Sequence, residues 1–177
     1  LFMQTTNGIN RVDLNVFQSD KGYEDVDAVF FDADGDGFQD LYVVSGGYEF
    51  AKKPQLLNDR LYLNDQKGNF KAVANALPKL QSSGSKVYAE DFDGDGKQDL
   101  LVLGRQIPGK YPEPASSFLL KNTGTTGKPR FEIDSEMQPE AFTDLGMATA
   151  ASVSDFNQDG RADIVIVGEW MPIRFFE

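Results

Sequence analysis

A ten-residue acidic segment occurs three times in this chain and constrains its fold more than any other feature. The copies begin at Asp32, Asp91 and Asp155, which are 59 and 64 residues apart, and they share the pattern D-x-[DN]-x-D-G-x-x-D-[LI]. A recurrence with a period of this size is typical of repeat architectures. Each copy lies between short runs of β-branched, aromatic and aliphatic residues, which predict a strand on either side.

The segments around the acidic loops predict units of four strands. The first unit has strands at 27–31, 40–44, 60–63 and 69–74, and the second has them at 86–89, 99–103, 117–120 and 130–133. The third unit continues with 149–154, 163–167 and 173–176. In every unit the acidic loop joins the first strand to the second. Four-stranded units repeated about every 60 residues are typical of the blades of a β-propeller.

The predicted fold is therefore all-β, with four-stranded antiparallel blades of a β-propeller. We expect the end of a preceding blade, two blades and an incomplete blade, at residues 1–20, 21–78, 79–142 and 143–177. In the first of these segments, the turn-prone Asn7 and Gly8 predict a hairpin between strands around Leu1–Gln4 and Arg11–Phe17. About three blades result, whereas closed propellers have four to eight. We expect the sequence to be part of a larger propeller, closed by a longer chain or by partner chains.

The acidic loops have the pattern of sites for a hard cation. Aspartates at alternate positions point their oxygens at one centre, Gly at position 6 allows a sharp turn, and position 7 offers its carbonyl oxygen. The first predicted site comprises Asp32, Asp34, Asp36, the carbonyl of Phe38, and Asp40. The second comprises Asp91, Asp93, Asp95, the carbonyl of Lys97, and Asp99, and the third comprises Asp155, Asn157, Asp159, the carbonyl of Arg161, and Asp163. Six or seven oxygen ligands suit Ca²⁺ better than Mg²⁺.

Three other interpretations of the loops are less compatible with the sequence. An EF-hand needs a Glu at position 12 and flanking helices, whereas position 12 is occupied by Val43, Val102 and Ile166 within predicted strands. Calcium loops of the thrombospondin type carry regular cysteines, and this chain has none. Asp-Gly clusters are also ordinary turn formers. Three matched copies with the same aspartate at position 9 favour metal binding over simple turns.

Composition supports a metal-binding protein and excludes several other classes. The formal net charge is −11, and eleven aspartates lie in the three loops, so three divalent cations would leave about −5. Lys and Arg are not clustered, which argues against a nucleic-acid partner. The absence of Cys and His excludes disulfides, the usual zinc ligands and the commonest general base. No apolar run is long enough to predict a membrane span.

The three loops, together with four other stretches, resemble a known family. Those stretches are 25–31, 59–65, 107–112 and 168–172. The chain resembles the VCBS/FG-GAP repeat family, whose Ca²⁺ loops also occur in the propeller of integrin α-subunits. It resembles in particular bacterial FG-GAP-like proteins that carry an ASPIC/UnbV-type domain. The resemblance implies loops between the first two strands of each blade, an extracellular, cell-surface or periplasmic location, and a role in adhesion or recognition.

Two classes of function follow as expectations. The first is a non-enzymatic recognition or adhesion module with structural Ca²⁺ and a protein or glycan ligand. The second is the propeller scaffold of a carbohydrate-active enzyme such as a polysaccharide lyase. The segments after the second strands should bring Tyr48, Phe50, Tyr111 and Trp170 towards one surface, opposite the metal loops. Exposed aromatic residues among Pro and Gly suit sugar or peptide recognition, although packing between blades would account for them as well.

Overall fold

The computed structural model describes residues 2–177, so Leu1 of the first predicted strand lies outside the described residues. Antiparallel sheets account for most of this range. A hairpin of β1 (Phe2–Thr5) and β2 (Gly8–Arg11) comes first, and the short helix α1 (Asn15–Ser19) follows it. In the described range no helix has the length and apolar character needed to cross a membrane.

Two four-stranded sheets and one three-stranded sheet make up the rest of the fold. The first contains, in spatial order, β3 (Asp25–Phe31), β4 (Asp40–Ser45), β5 (Arg60–Asn64) and β6 (Phe70–Ala72). The second contains β7 (Gly84–Glu90), β8 (Asp99–Gly104), β9 (Phe118–Asn122) and β10 (Phe131–Ile133). The third contains β11 (Met147–Ser154), β12 (Asp163–Glu169) and β13 (Arg174–Phe176). Short 3₁₀ helices lie at Glu49–Lys52, Pro54–Leu57 and Glu140–Asp144.

These sheets confirm the predicted all-β architecture of antiparallel, four-stranded, blade-like units. Strands that are neighbours in sequence are neighbours in each sheet, and every pairing is antiparallel. Successive sheets pack through their first strands, since β3 contacts β7 and β7 contacts β11. The blade boundaries given above stay predictions.

The predicted strand Arg11–Phe17 is wrong. The strand β2 ends at Arg11, and Asn15–Ser19 forms a helical turn instead. Both Val16 and Phe17 pack against the first sheet, and the Phe17 ring lies 5.2 Å from the ring of Tyr62 in an edge-on contact. A strand would direct these two neighbouring side chains to opposite faces, whereas a helical turn lets both pack on one side. Tertiary packing therefore overrides the local alternation of apolar residues.

The strand β8 shows how the sheets stack, because both of its faces are buried. Its side chains at 100 and 102 belong to the core between the first and second sheets, together with Phe31, Tyr42 and Phe131. Its side chains at 101 and 103 belong to the core between the second and third sheets, together with Phe142 and Ile166. This alternation follows from the two-residue period of a strand. The second sheet is thus an inner layer, which explains the uninterrupted apolar run of β8 at residues 100–103.

The carboxylate of Asp59, the residue before β5, is bonded to two residues of β4. The Asp59 carboxylate accepts a hydrogen bond of 2.6 Å from the Tyr42 hydroxyl and one of 2.8 Å from the Ser45 N–H. Loss of surrounding water raises the pKa of Asp59 to about 6, although these hydrogen bonds and the nearby Arg60 oppose the rise. The same environment holds the pKa of the Tyr42 hydroxyl well above its ordinary value.

Replacing Asp59 with Asn should make unfolding less dependent on pH. A carboxylate whose pKa is higher in the folded state stabilises the fold below its unfolded pKa, and that stabilisation is lost as pH rises through the folded value. Between pH 4 and pH 7 the wild type should therefore lose up to about 3 kcal/mol more stability than Asp59→Asn. Urea denaturation in EDTA at several pH values measures this difference. The exposed Asp144→Asn serves as control, and parallel curves for wild type and Asp59→Asn would contradict the expectation.

Candidate metal centres

Each acidic loop connects the first and second strands of its sheet, as the sequence predicts. In all three sheets the last residue of the first strand pairs with the aspartate at position 9 of the loop. The pairs are Phe31 with Asp40, Glu90 with Asp99, and Ser154 with Asp163. The loops are therefore hairpin connections, and their ninth residue begins the second strand.

Position 12 of each loop lies within a strand, which supports the exclusion of an EF-hand. The residues at this position are Val43, Val102 and Ile166, and all three side chains are buried in the sheet cores. A bidentate ligand from position 12 is impossible in this geometry, because the chain has already left the loop. The aspartate at position 9 therefore closes the loop.

The aspartate at position 1 organises the turn. The Asp32 carboxylate accepts hydrogen bonds from the N–H groups of Gly35 at 2.8 Å, Asp36 at 3.1 Å and Gly37 at 2.9 Å. The other two loops repeat this arrangement, with Asp91 accepting from Gly94, Asp95 and Gly96, and Asp155 accepting from Asp159 and Gly160. The loop backbone is thus held in a tight curve by its own first side chain.

Glycine at position 6 is required by the backbone conformation. Gly37, Gly96 and Gly160 have φ angles of 86°, 87° and 88°. These values lie in the left-handed region, which any residue with a Cβ adopts at a cost. The near identity of the three angles shows that the loops share one backbone conformation at position 6.

The aspartate at position 9 is the most buried of the loop carboxylates. Asp40 is 1% exposed and Asp99 is 2% exposed. Each accepts one hydrogen bond from the N–H at position 2 of its own loop and one from an asparagine N–H in the third strand of its sheet, Asn64 or Asn122. Burial raises the pKa of both carboxyls to about 6, and the neighbouring loop aspartates add to the rise.

In two loops the carboxylates converge on one centre. Oxygens of Asp32, Asp34 and Asp40 lie within 4.8 Å of one another, and so do oxygens of Asp91, Asp93 and Asp99. Burial and the charges of Asp36 and Asp32 also raise the pKa of Asp34. Carboxylates placed this close repel one another, and a bound cation would remove that penalty. The donor sets consist of hard oxygen atoms, which fit a cation such as Ca²⁺.

Position 5 and the predicted carbonyl ligands lie beside these clusters. The carboxylate of Asp36 accepts hydrogen bonds from the Phe38 N–H at 2.9 Å and from the Gln66 side chain at 3.1 Å. The Asp95 carboxylate accepts the Lys97 N–H at 2.9 Å. The structure therefore brings positions 1, 3 and 9 together, whereas positions 5 and 7 contact each other. Their role as ligands stays a prediction.

The third loop has the same turn but a different cluster. The Asp163 carboxylate accepts a bond of 2.9 Å from the Phe156 N–H, and it is 3% exposed. The side chain of Asn157 contacts Asp159, and in residues 2–177 this loop brings no group of three carboxylates together. An asparagine contributes an amide oxygen in place of a charged ligand. The predicted site at Asp155, Asn157, Asp159, Arg161 and Asp163 therefore has less charge to attract a cation.

Two asparagines that the loop pattern did not identify support the clusters. Asn64 and Asn122 end the third strands of the first two sheets, and their N–H groups donate to Asp40 at 2.9 Å and to Asp99 at 2.8 Å. Aligning the third strands of the two repeats places both asparagines at the same position, and this was the signal available in the sequence.

A lysine distinguishes the second loop from the first. The Lys121 ammonium group forms an ion pair with the Asp93 carboxylate, which lowers the pKa of Asp93 and raises that of Lys121. Lys121 precedes Asn122, and in the first sheet the corresponding residue before Asn64 is Leu63. The Lys121 ammonium group would thus compete with a metal ion for the second loop. The loop motif alone does not predict this feature.

At the opposite ends of the second strands, two of the four predicted aromatic residues meet. The Trp170 indole N–H donates a hydrogen bond of 3.0 Å to the Tyr111 hydroxyl. Trp170 is 82% exposed and Tyr111 is 52% exposed. The backbone φ of Trp170 is 56°, in the left-handed region that costs a residue with a Cβ about 1–2 kcal/mol. We call this pair the aromatic shelf.

The other two aromatic residues lie elsewhere on the same side. Tyr48 borders a separate cleft of 320 Å³, together with Glu24, Lys86 and Arg105. Phe50 is half-buried in the first 3₁₀ helix. Arg105 also forms an ion pair with Glu169, the residue before Trp170, and so links this cleft to the aromatic shelf. The predicted grouping is therefore seen for Trp170 and Tyr111 only.

The fold and the loops define a module of the β-propeller repeat class with acidic, cation-compatible connections. Comparison with known families agrees, because the family model described as FG-GAP-like repeat matches residues 32–102. The matched segment runs from the first acidic loop to the buried strand β8 and includes both carboxylate clusters. The match supports the FG-GAP part of the resemblance, and the closer likeness to VCBS and ASPIC/UnbV-type proteins stays a prediction. No curated protein matches the chain.

Replacing Lys121 with Leu, its counterpart in the first sheet, should strengthen Ca²⁺ binding by the second loop about tenfold, since the cation then no longer competes with an ammonium group. Calorimetric titration with Ca²⁺ measures the change. Lys71→Leu removes the same charge from an exposed position on β6 and should leave the affinity near that of the wild type. Weaker binding in Lys121→Leu would show instead that the lysine supports the metal-binding shape of the loop.

Proposed function

We propose that this chain is a calcium-binding segment of a β-propeller that serves as a non-enzymatic recognition or adhesion module. The observation that carries the proposal is the convergence of positions 1, 3 and 9 in two loops that share the same hydrogen bonds from their backbone to the position-1 aspartate. The match to FG-GAP-like repeats over the same residues supports it. The excess of acidic residues, with a formal net charge of −11, also suits a protein that works with bound divalent cations.

We propose a structural role for Ca²⁺. In the first loop Asp32, Asp34 and Asp40 would hold the ion, and Asp91, Asp93 and Asp99 would hold it in the second. The position-9 aspartates begin the second strands and bind the third strands through Asn64 and Asn122. An ion on these carboxylates would supply the positive charge that offsets their repulsion. The loop would then fix three strands of a blade relative to one another. A third, weaker site is proposed at Asp155–Asp163.

We propose an extracellular, cell-surface or periplasmic location and a protein or glycan ligand. FG-GAP-like repeats typically occur in extracellular or surface proteins. Calcium sites of extracellular modules are commonly weak, in the range of 10⁻⁴–10⁻³ M, because the ion is abundant there. The aromatic shelf supports the recognition role, since a largely exposed Trp beside a Tyr offers flat apolar area and a polar edge. Remaining blades, in a longer chain or in partner chains, would complete the ring.

Calcium should stabilise the protein, and EDTA should destabilise it. At a concentration one hundred times its dissociation constant, an ion bound only to the folded state adds about 2.7 kcal/mol per site. Thermal unfolding with Ca²⁺ and with EDTA, combined with calorimetric titration, tests this. Removing Asp93 and Asp95 together, as Asp93→Ala/Asp95→Ala, should abolish one site and lower the Tm in Ca²⁺.

The control for this experiment is Glu136→Ala/Asp144→Ala, which removes two exposed carboxylates outside the loops. It should leave the number of bound ions unchanged. An unchanged Tm in EDTA together with the absence of binding heat would contradict the proposal that the loops hold Ca²⁺.

If the protein acts in recognition, we expect its ligand to bind at the aromatic shelf. A panel of glycans and peptides, measured for binding and for cleavage, should give binding without turnover. Trp170→Ala should weaken binding of the ligand identified in this panel by about tenfold or more, as expected for a central aromatic contact. Phe156→Ala serves as control, because Phe156 is also exposed but lies in the third metal loop. Cleavage of a polysaccharide would instead support the enzyme scaffold considered above.

A further inference from the structure

Asn122 lies between the two carboxylate clusters and contacts both loops. Its N–H donates to the Asp99 carboxylate at 2.8 Å, within the second cluster. Its side-chain amide donates to the Ala33 carbonyl at 3.0 Å, between two predicted ligands of the first loop, and to the Gln98 carbonyl at 3.3 Å. The amide oxygen accepts the Gly124 N–H at 3.1 Å. Asn122 is 4% exposed, so its side chain is fixed and shielded from water.

Two more hydrogen bonds attach the first loop to the second sheet. The Asp32 N–H donates to the Gln98 side chain at 3.2 Å, and the Gly127 N–H donates to the Asp34 carbonyl at 3.0 Å. Backbone groups of three consecutive residues in the first loop are therefore bonded to the neighbouring sheet. Any shift of this backbone must break these bonds or move Gln98 of the second loop, Asn122 and Gly127 with it.

Asn64 provides an internal comparison. It has the same place in the first sheet and the same local bonds, to Asp40, to the Gln39 carbonyl at 3.1 Å and from the Gln66 N–H at 3.0 Å. Among the residues that the structure describes, its amide makes no bond to a second acidic loop. The link between loops is therefore specific to Asn122 and is separable from the local support that both asparagines give.

We propose that Asn122 couples cation binding in the first two loops, so that occupancy of either loop strengthens binding in the other. The inference rests on the proposed function, since it requires that both loops bind a cation. An ion in the second loop fixes Asp99, and with it the N–H and the amide of Asn122. The amide then holds the Ala33 carbonyl in place. The first loop therefore loses less conformational entropy when its ion binds. Coupling of this kind is reciprocal.

The test is a thermodynamic cycle on the full chain, titrated with Ca²⁺ by calorimetry in about 0.15 M salt, where charge repulsion between distant ions is screened. All variants carry Asp159→Ala to disable the third loop. Disabling the first loop with Asp34→Ala should weaken binding in the second by about fivefold or more, the lower end of ordinary coupling. In an Asn122→Ala background the same Asp34→Ala change should have a clearly smaller effect on the second loop, about twofold or less, because only the Gln98 and Gly127 bonds then remain.

Asn64→Ala is the matched control and should leave the coupling intact. Gln98→Ala removes a different bond between the loops and should reduce the coupling even if Asn122→Ala fails to fold. If two ions bind but Asp34→Ala does not alter the second site, the coupling is refuted while the proposed function stands. Equal loss of coupling in Asn64→Ala would refute the assignment to Asn122. If no ion binds to the wild type, the proposed function fails, and the coupling fails with it.

Discussion

The buried aspartate at the start of each second strand is the interaction on which the structure most depends. Asp40 joins three parts of one sheet, because it belongs to β4, accepts the Ala33 N–H from the loop and accepts the Asn64 N–H from β5. Asp99 does the same in the second sheet. A carboxylate in such a place satisfies backbone donors that would otherwise be unpaired, but its charge is costly where water is excluded. The same residue that closes the hairpin thus creates a need for positive charge nearby.

The stacking of the sheets gives the two ends of the molecule different properties. Strand β8 contributes alternate side chains to two cores, so the inner sheet is held on both faces and offers a rigid base for its connections. At one end, these connections are the acidic loops, which are ordered by hydrogen bonds to their own carboxylates. At the other end, the connections carry exposed aromatic side chains such as Trp170 and Tyr111. The acidic loops and the exposed aromatic side chains are therefore separated by the length of the strands.

Local signals in the sequence predicted the acidic loops, their place between first and second strands, and most of the strands, because these features depend on short-range patterns. The strand predicted at Arg11–Phe17 failed because its conformation is decided by packing of Val16 and Phe17 against a sheet that is distant in sequence. Lys121 and Asn122 were missed for a related reason. Their importance arises from the strand register, which places them beside a loop more than twenty residues earlier. A loop motif taken alone contains no information about the strand that supports it.

The position of the supporting asparagines explains where the repeat varies in length. From Asp32 to Asn64 the chain advances 32 residues, and from Asp91 to Asn122 it advances 31. From each asparagine to the next loop, at Asp91 and Asp155, it advances 27 and 33 residues. The unequal spacing of the three loops therefore arises almost entirely after the asparagine. The loop and the next two strands form a unit of nearly constant length, whereas the additional residues of the second repeat lie in the turn before the outer strand and in the passage to the following sheet.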